Sequence, residues 1–99
     1  MEASYYRAQS EDGDFIDDPS EDALFMLFSD LNDAHNTFVV IRPYTDDPPW
    51  YASVTVRDGG YEVVRRDTAR REHEVATETS IHRIANDLTI WLAARDRDG

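Results

Sequence analysis

Three histidines and a surplus of carboxylates are the side chains of this sequence that could do acid–base or metal chemistry. The densest group is Glu72-His73-Glu74. In a strand the two glutamates share one face and the histidine points to the other, so the three do not converge on one metal ion. His35 and His82 have no partner at ligand or triad spacing. No metal site is therefore predicted.

Catalytic motifs are equally hard to find. There is no Gly-rich phosphate loop and no nucleophile elbow. Adjacent carboxylates such as Asp17/Asp18 and Asp46/Asp47 lie in predicted loops, where nothing buries one of them as an acid–base pair requires. The chain has no Cys, so thiolate chemistry and disulfides are excluded. We predict no catalytic activity and no cofactor.

The basic residues concentrate at Arg65, Arg66, Arg70 and Arg71. These arginines could form an anion site, or they could pair with neighbouring carboxylates. Because the chain has 21 acidic and only 10 basic residues, the pattern favours ion pairs.

The formal net charge of −11 limits the partners of this chain. A chain this acidic repels nucleic acid and anionic membranes and attracts basic proteins. We therefore expect a basic protein partner, no nucleic acid and no membrane. The N-terminus lacks signal-peptide features and no apolar run reaches membrane-spanning length, so a cytoplasmic protein is predicted. The alternative use of the charge is solubility alone.

The first helix is marked by its start signals. Asp18 suits the N-cap, Pro19 the first helical position and Glu21 the third. A stripe of apolar residues follows at helical spacing, and the helix is predicted to end near residues 33–36. Before it, residues 4–9 predict a strand, and residues 15 and 16 either a short strand or a plug against the core.

The remaining elements follow from alternation and turn residues. Residues 37–41 are typical of a central strand covered on both faces. Residues 50–66 predict a hairpin around the Asp58-Gly59-Gly60 turn, and 73–79 a further strand. A second helix follows a Thr79 or Ser80 cap. The fold class is α+β: a mainly antiparallel sheet of 4–5 strands with two helices, in the order β-α-β-β-β-β-α. We expect one domain over 1–99, with 1–3 and 96–99 frayed.

The segment before the hairpin, TDDPPW, contains the aromatic residue of most interest. Trp50 could pack on Trp91 of the last helix, or it could be an anchor ringed by Asp46 and Asp47 for a basic protein surface. The predicted partner-binding residues are Trp50, the two acids beside it and the acids of the stretch before the first helix. They are Asp14, Asp17, Asp18, Asp46, Asp47 and Trp50.

The order of these segments resembles a known family. The capped helix DPSEDALFMLFSDL, the strand TFVVIRPY, the hairpin WYASVTV-DGG-YEVV and the closing helix are similar to those of small acidic immunity proteins of bacterial polymorphic toxin systems, particularly from actinobacteria. The resemblance implies a protein that binds a toxin domain tightly and has no catalysis of its own.

Three functions stay open from the sequence. The first is an immunity protein whose acidic face binds the basic cleft of a toxin. The second is a self-associating structural or regulatory module, for which a homodimer through a sheet edge or the last helix is an option. The third is a small anion-binding domain using residues 65–71.

Overall fold

Six strands and two helices form an α+β fold in the computed structural model, which describes residues 6–43, 45 and 48–96. In chain order the elements are β1 (Tyr6–Ser10), β2 (Phe15–Asp17), α1 (Glu21–Ser29), β3 (Phe38–Pro43), β4 (Trp50–Arg57), β5 (Gly60–Asp67), β6 (Glu72–Glu78) and α2 (Ile81–Asp96).

All the strands belong to one antiparallel sheet with the order β2-β1-β3-β4-β5-β6. The predicted antiparallel meander is confirmed, but the sheet has six strands instead of four or five. The additional strand is β2, in which Phe15 pairs with Gln9 and Ile16 with Ala8. This strand has only three residues and lies at the edge of the sheet. A segment that short cannot show an alternating pattern in the sequence.

Both helices lie on the same side of the sheet. The buried apolar side chains of the strands alternate along β1, β3, β4 and β5, and they meet those of the two helices in one core: Ala8, Leu24, Leu27, Phe28, Val39, Ile41, Ala52, Val54, Val63, Ile84, Ala85, Leu88 and Leu92. The apolar stripe predicted for the first helix is thus buried, and α2 has a buried stripe of its own. The prediction that residues 37–41 are covered on both faces is wrong, because Phe38 and Val40 are only half-buried on the face away from the helices.

The first helix is shorter than its sequence suggests. Its N-cap is Ser20, whose hydroxyl accepts a hydrogen bond from the Ala23 N–H at 3.1 Å. Asp18, the predicted cap, instead adopts a positive φ of 49° between β2 and the helix. The helix ends at Ser29, before the predicted region, because Asn32 organises the following loop. The Asn32 side chain accepts from three successive backbone N–H groups, those of residues 34–36. Neither described helix is long and apolar enough to cross a membrane.

The β4–β5 hairpin turns through Asp58-Gly59, as predicted. Gly59 has a φ of +80°, which glycine adopts without steric cost. At Gly60 a side chain is excluded for another reason, since a Cβ atom would lie 2.6 Å from the carbonyl oxygen of Glu78 on β6. The two glycines therefore serve the turn and the close approach of two strands.

A buried ion pair anchors the end of α2 to the sheet. The Arg95 Nε atom lies 3.2 Å from the Asp67 carboxylate. Arg95 is 7% exposed and Asp67 is 3% exposed. Arg95 also pairs with Glu72 at 2.6 Å and lies 3.7 Å from the centroid of the Trp91 ring. Asp67 accepts a further bond from the Arg70 N–H. The helix is thus fixed to the β5–β6 hairpin by charge as well as by apolar contacts.

Replacing Arg95 by Met should lower the free energy of unfolding by about 3 kcal/mol, because the Asp67 carboxylate would lose its buried partner. Urea denaturation at pH 7 measures this loss. The matched control is Arg83→Met on the exposed side of α2, where Arg83 forms no ion pair with a described carboxylate; it should change stability by less than about 0.5 kcal/mol. A loss below about 1 kcal/mol for Arg95→Met would show that the pair contributes no more than a surface salt bridge.

Candidate functional site

Negative charge is segregated along the chain. Residues 8–41 contain nine carboxylates and no Arg or Lys, whereas residues 42–95 contain eight arginines and nine carboxylates. All nine side chains of the first group are exposed. We call this group the acidic flank: Glu11, Asp12, Asp14, Asp17, Asp18, Glu21, Asp22, Asp30 and Asp33. Most of the surplus charge of the molecule therefore comes from one segment.

A buried asparagine holds two parts of the acidic flank together. Asn36 is almost fully buried. Its side-chain amide donates to the carbonyl of Asp30 at the end of α1, at 3.1 Å, and its carbonyl oxygen accepts from the Asp12 N–H in the β1–β2 turn, at 3.4 Å. The carboxylates of the turn and those that follow α1 are therefore neighbours in space, although they are far apart in sequence.

Two carboxylates of the turn are fixed by hydrogen bonds. Glu11 accepts from the Thr37 hydroxyl at 2.7 Å and from the Thr37 N–H at 2.8 Å, and these bonds hold the pKa of Glu11 below its ordinary value. The Ser10 hydroxyl and the Asp14 N–H donate to Asp12 and lower its pKa in the same way. Both groups are ionised at neutral pH. Glu11 holds the turn against the start of β3, and Asp12 bonds within the turn.

An exposed aromatic ring lies within the acidic flank. Phe15 on the edge strand is 50% exposed. The Arg7 guanidinium lies 4.0 Å from the centroid of its ring and pairs with Asp17 at 2.7 Å. Stacking by Arg7 orients the ring and leaves apolar area free between carboxylates. Aromatic side chains, Phe among them, are enriched in the buried part of protein interfaces.

The acids predicted around β2 are exposed and have different local contacts. Asp14 lies in the turn before β2, and Asp17 faces the same side of the sheet as Arg7. Asp18 follows the strand, and its carboxylate accepts from the Tyr6 N–H at 3.4 Å. These three residues lie on both sides of Phe15. Their role in binding a partner stays a prediction.

Trp50 lies on the helix-facing side of the sheet. Its ring makes edge contacts with Trp91, at 5.6 Å between centroids, and with Tyr6, at 5.8 Å. It is half-buried. The structure therefore agrees with the interpretation that Trp50 packs on the last helix, and part of its ring still reaches solvent. Its predicted neighbours Asp46 and Asp47 lie outside the described residues.

The four clustered arginines do not converge on one anion. Arg65 points to the helix side and pairs with Glu74 at 3.0 Å. Arg66 points to the other face of the sheet, where its cross-strand neighbours are Tyr51 and His73. Arg70 approaches Asp67 at 3.8 Å, and Arg71 has a positive φ of 56° in the turn. Pairing with carboxylates, the favoured interpretation, accounts for Arg65 and Arg70.

The histidines are dispersed. As predicted, His73 and its two neighbouring glutamates point to opposite faces of β6. His35 is exposed in the loop after α1, and His82 stacks on Phe25 with 4.3 Å between ring centroids. Within residues 6–43, 45 and 48–96, no three His, Asp or Glu side chains lie close enough together to hold a metal ion.

The face of the sheet away from the helices is a second candidate surface, which we call the open face. At its β1–β3 side is a groove of about 320 Å³ lined by Arg7, Gln9, Ser10, Glu11, Phe38, Val40 and Arg42. Sequence reasoning missed this face, because the continuous apolar run 37–41 suggested a strand covered on both sides. The number of predicted helices is the signal in the sequence that could have revealed the open face. Two helices with one apolar stripe each can cover only one side of a sheet.

Comparison with family models, with curated proteins and with solved structures finds no match to this chain.

The lowered pKa values predict how stability depends on pH. Because the folded chain favours the ionised form of Glu11 and Asp12, their contribution is complete above the ordinary pKa values of the two groups and is lost as the pH falls through the lowered folded values. Glu11→Gln should lower the urea midpoint at pH 7, and its difference from wild type should narrow toward pH 3.

The control for that comparison is Asp33→Asn, which removes one charge from the same flank but leaves the bonds from Thr37 to Glu11 intact. It should not lower the midpoint at pH 7. A difference between wild type and Glu11→Gln that is constant from pH 7 to pH 3 would contradict the assignment.

Proposed function

We propose that this chain is a protein-binding module, and in its most concrete form an immunity protein that binds and neutralises a cognate toxin domain. The observation that carries the proposal is the segregation of charge: nine exposed carboxylates in a segment without Arg or Lys. Charge needed only for solubility has no reason to gather in one segment. The resemblance of the segment order to small acidic immunity proteins gives the proposal its specific form.

The acidic flank and the exposed ring contribute to different steps of association. Concentrated negative potential attracts a basic surface and raises the association rate at low salt. Apolar area such as that of Phe15 is desolvated only after docking, so it lowers the dissociation rate. A toxin that acts on nucleic acid has a cationic cleft for phosphates. Carboxylates held at fixed positions would occupy that cleft in place of phosphate.

The binding experiment uses the partner that the proposal specifies. The probe is the C-terminal domain of a large gene product encoded next to this chain, purified and titrated by calorimetry. We expect a one-to-one complex with a Kd of about 10 nM or tighter, and loss of the toxin activity of that domain. The proposal would be contradicted if the adjacent gene encoded a metabolic or biosynthetic enzyme instead of a basic toxin-like domain. It would also be contradicted if the domain showed no binding at about 10 µM.

The acidic flank should be the part that sets the association rate. Asp14→Asn/Asp18→Asn should slow association with this domain about threefold to tenfold at low salt and weaken its salt dependence. Asn tolerates the positive φ at position 18, so the fold is retained. Stopped-flow measurement over a salt series gives both quantities.

The matched control removes two carboxylates from exposed positions outside the flank. Asp58→Asn/Asp87→Asn changes the net charge equally, and both residues are exposed. If both double variants slow association to the same extent, net charge is sufficient and the flank has no special role. The variant Asp46→Asn/Asp47→Asn tests the predicted loop beside Trp50, and an unchanged rate would remove that loop from the interface.

A further inference from the structure

The open face is organised in rows that run across the strands. The middle row is mostly apolar and continuous in register: Phe15, Gln9, Val40, Ser53, Val64 and Val75. Its two ends are well exposed, with Phe15 at 50% and Val75 at 56%. The described helices lie on the other side of the sheet, so this row meets solvent along its length.

The rows on either side of the middle row differ in charge. On one side is the arginine row, which consists of Asp17, Arg7, Arg42, Tyr51, Arg66 and His73. On the other side is the glutamate row, which consists of Glu11, Phe38, Thr55, Glu62 and Thr77. Arg42 and Arg66 are exposed, and neither forms an ion pair with a described carboxylate. A strongly acidic protein therefore presents two cations that have no ion-pair partner among the described residues beside apolar surface.

This pattern is complementary to itself. Consider a two-fold axis that lies between two stacked sheets and runs parallel to the middle row. This axis places the middle rows of two copies on each other, and it places the arginine row of each copy over the glutamate row of the other. Each strand then lies over the same strand of the second copy. On β5, Arg66 of one copy faces Glu62 of the other, and the reverse pair forms at the same time. On β3, Arg42 faces the ring of Phe38, which suits a cation–π contact. Two sheets stack face to face about 10 Å apart, a distance these side chains span.

From this geometry we infer that the open face is a self-association interface and that its occupant is a second copy of this chain. The area supports a reversible dimer. Six strands about 4.8 Å apart and three rows about 7 Å apart give roughly 600 Å² per copy. The total of roughly 1,200 Å² is at the lower end of specific interfaces. The dimer should therefore form at micromolar concentrations and not as an obligate pair.

Sedimentation velocity from about 1 to 500 µM tests the dimer, and we expect reversible association with a Kd between about 10 and 100 µM. Arg66→Glu should weaken the dimer about tenfold, since it replaces both reciprocal pairs by repulsion. Glu62→Arg should weaken it to a similar extent. The double variant Arg66→Glu/Glu62→Arg restores both pairs and should return the Kd to within about threefold of wild type.

The signs of these effects separate a specific interface from a general effect of charge. Glu62→Arg makes the chain less negative, so it would strengthen association if net repulsion alone decided it. Residues 62 and 66 lie four positions apart on one strand, about 13 Å, so they cannot pair within one copy. Arg83→Glu, which makes the same charge change on the helix side, should leave the Kd unchanged.

Glu62 also pairs with Arg57 at 3.2 Å within the chain, so each variant is checked by circular dichroism and thermal unfolding. Should Glu62→Arg fail to fold, Val64→Thr serves in its place, because it makes the middle of the interface polar without changing its shape. It should weaken the dimer at least threefold, or about 0.7 kcal/mol. The inference would be overturned if the wild-type chain stayed monomeric at about 500 µM. It would also be overturned if the dimer of the double variant had a Kd no lower than those of the single variants.

Discussion

Coverage of the sheet on one side only is the constraint on which the rest of this structure depends. Each helix has a single apolar stripe, and both stripes are used against the same face of the sheet. Strand side chains alternate between faces, so every strand then has a dry side and a wet side. The positions of Trp50 and Arg65 among the helices, and of Phe15 and Arg66 on the open face, all follow from this alternation. A third helix on the other side of the sheet would have covered the open face.

The charged side chains are also divided between a dry core and a wet surface. A domain of 99 residues has a small core, and a charge can enter it only with a partner, as Arg95 does beside Asp67. The other carboxylates must therefore lie on the surface, but nothing in folding requires them to lie together. Their accumulation in a segment with no Arg or Lys, next to the half-exposed ring of Phe15, is not explained by stability. It adds repulsion to the folded state, so it calls for a functional reason.

The sequence predicts the parts of this fold that repeat a pattern several times. Alternation over β4 and β5 assigns each side chain to the correct face, and the apolar spacing of α2 identifies its buried residues. Single-residue signals are weaker. Asp18 and Ser20 both suit an N-cap, and only the positive φ of Asp18 decides between them. The acids around β2 could be named as candidates from composition. Their proximity to the carboxylates after α1 could not, because it depends on one buried side chain, Asn36.

The two proposed surfaces share Phe15 and Glu11, so they are energetically linked. The axis along the middle row keeps the β2 edges of both copies on the same side of the dimer, with the two β1–β2 turns at opposite ends of that side. Each turn then lies near the arginine row of the other copy, where Arg7 and Arg42 offset part of the repulsion between two chains of net charge −11. The remaining repulsion keeps the dimer weak. A toxin domain that binds one acidic flank would cover Phe15, which the dimer also buries. Because such a partner binds the monomer better than the dimer, it would draw the equilibrium toward the monomer.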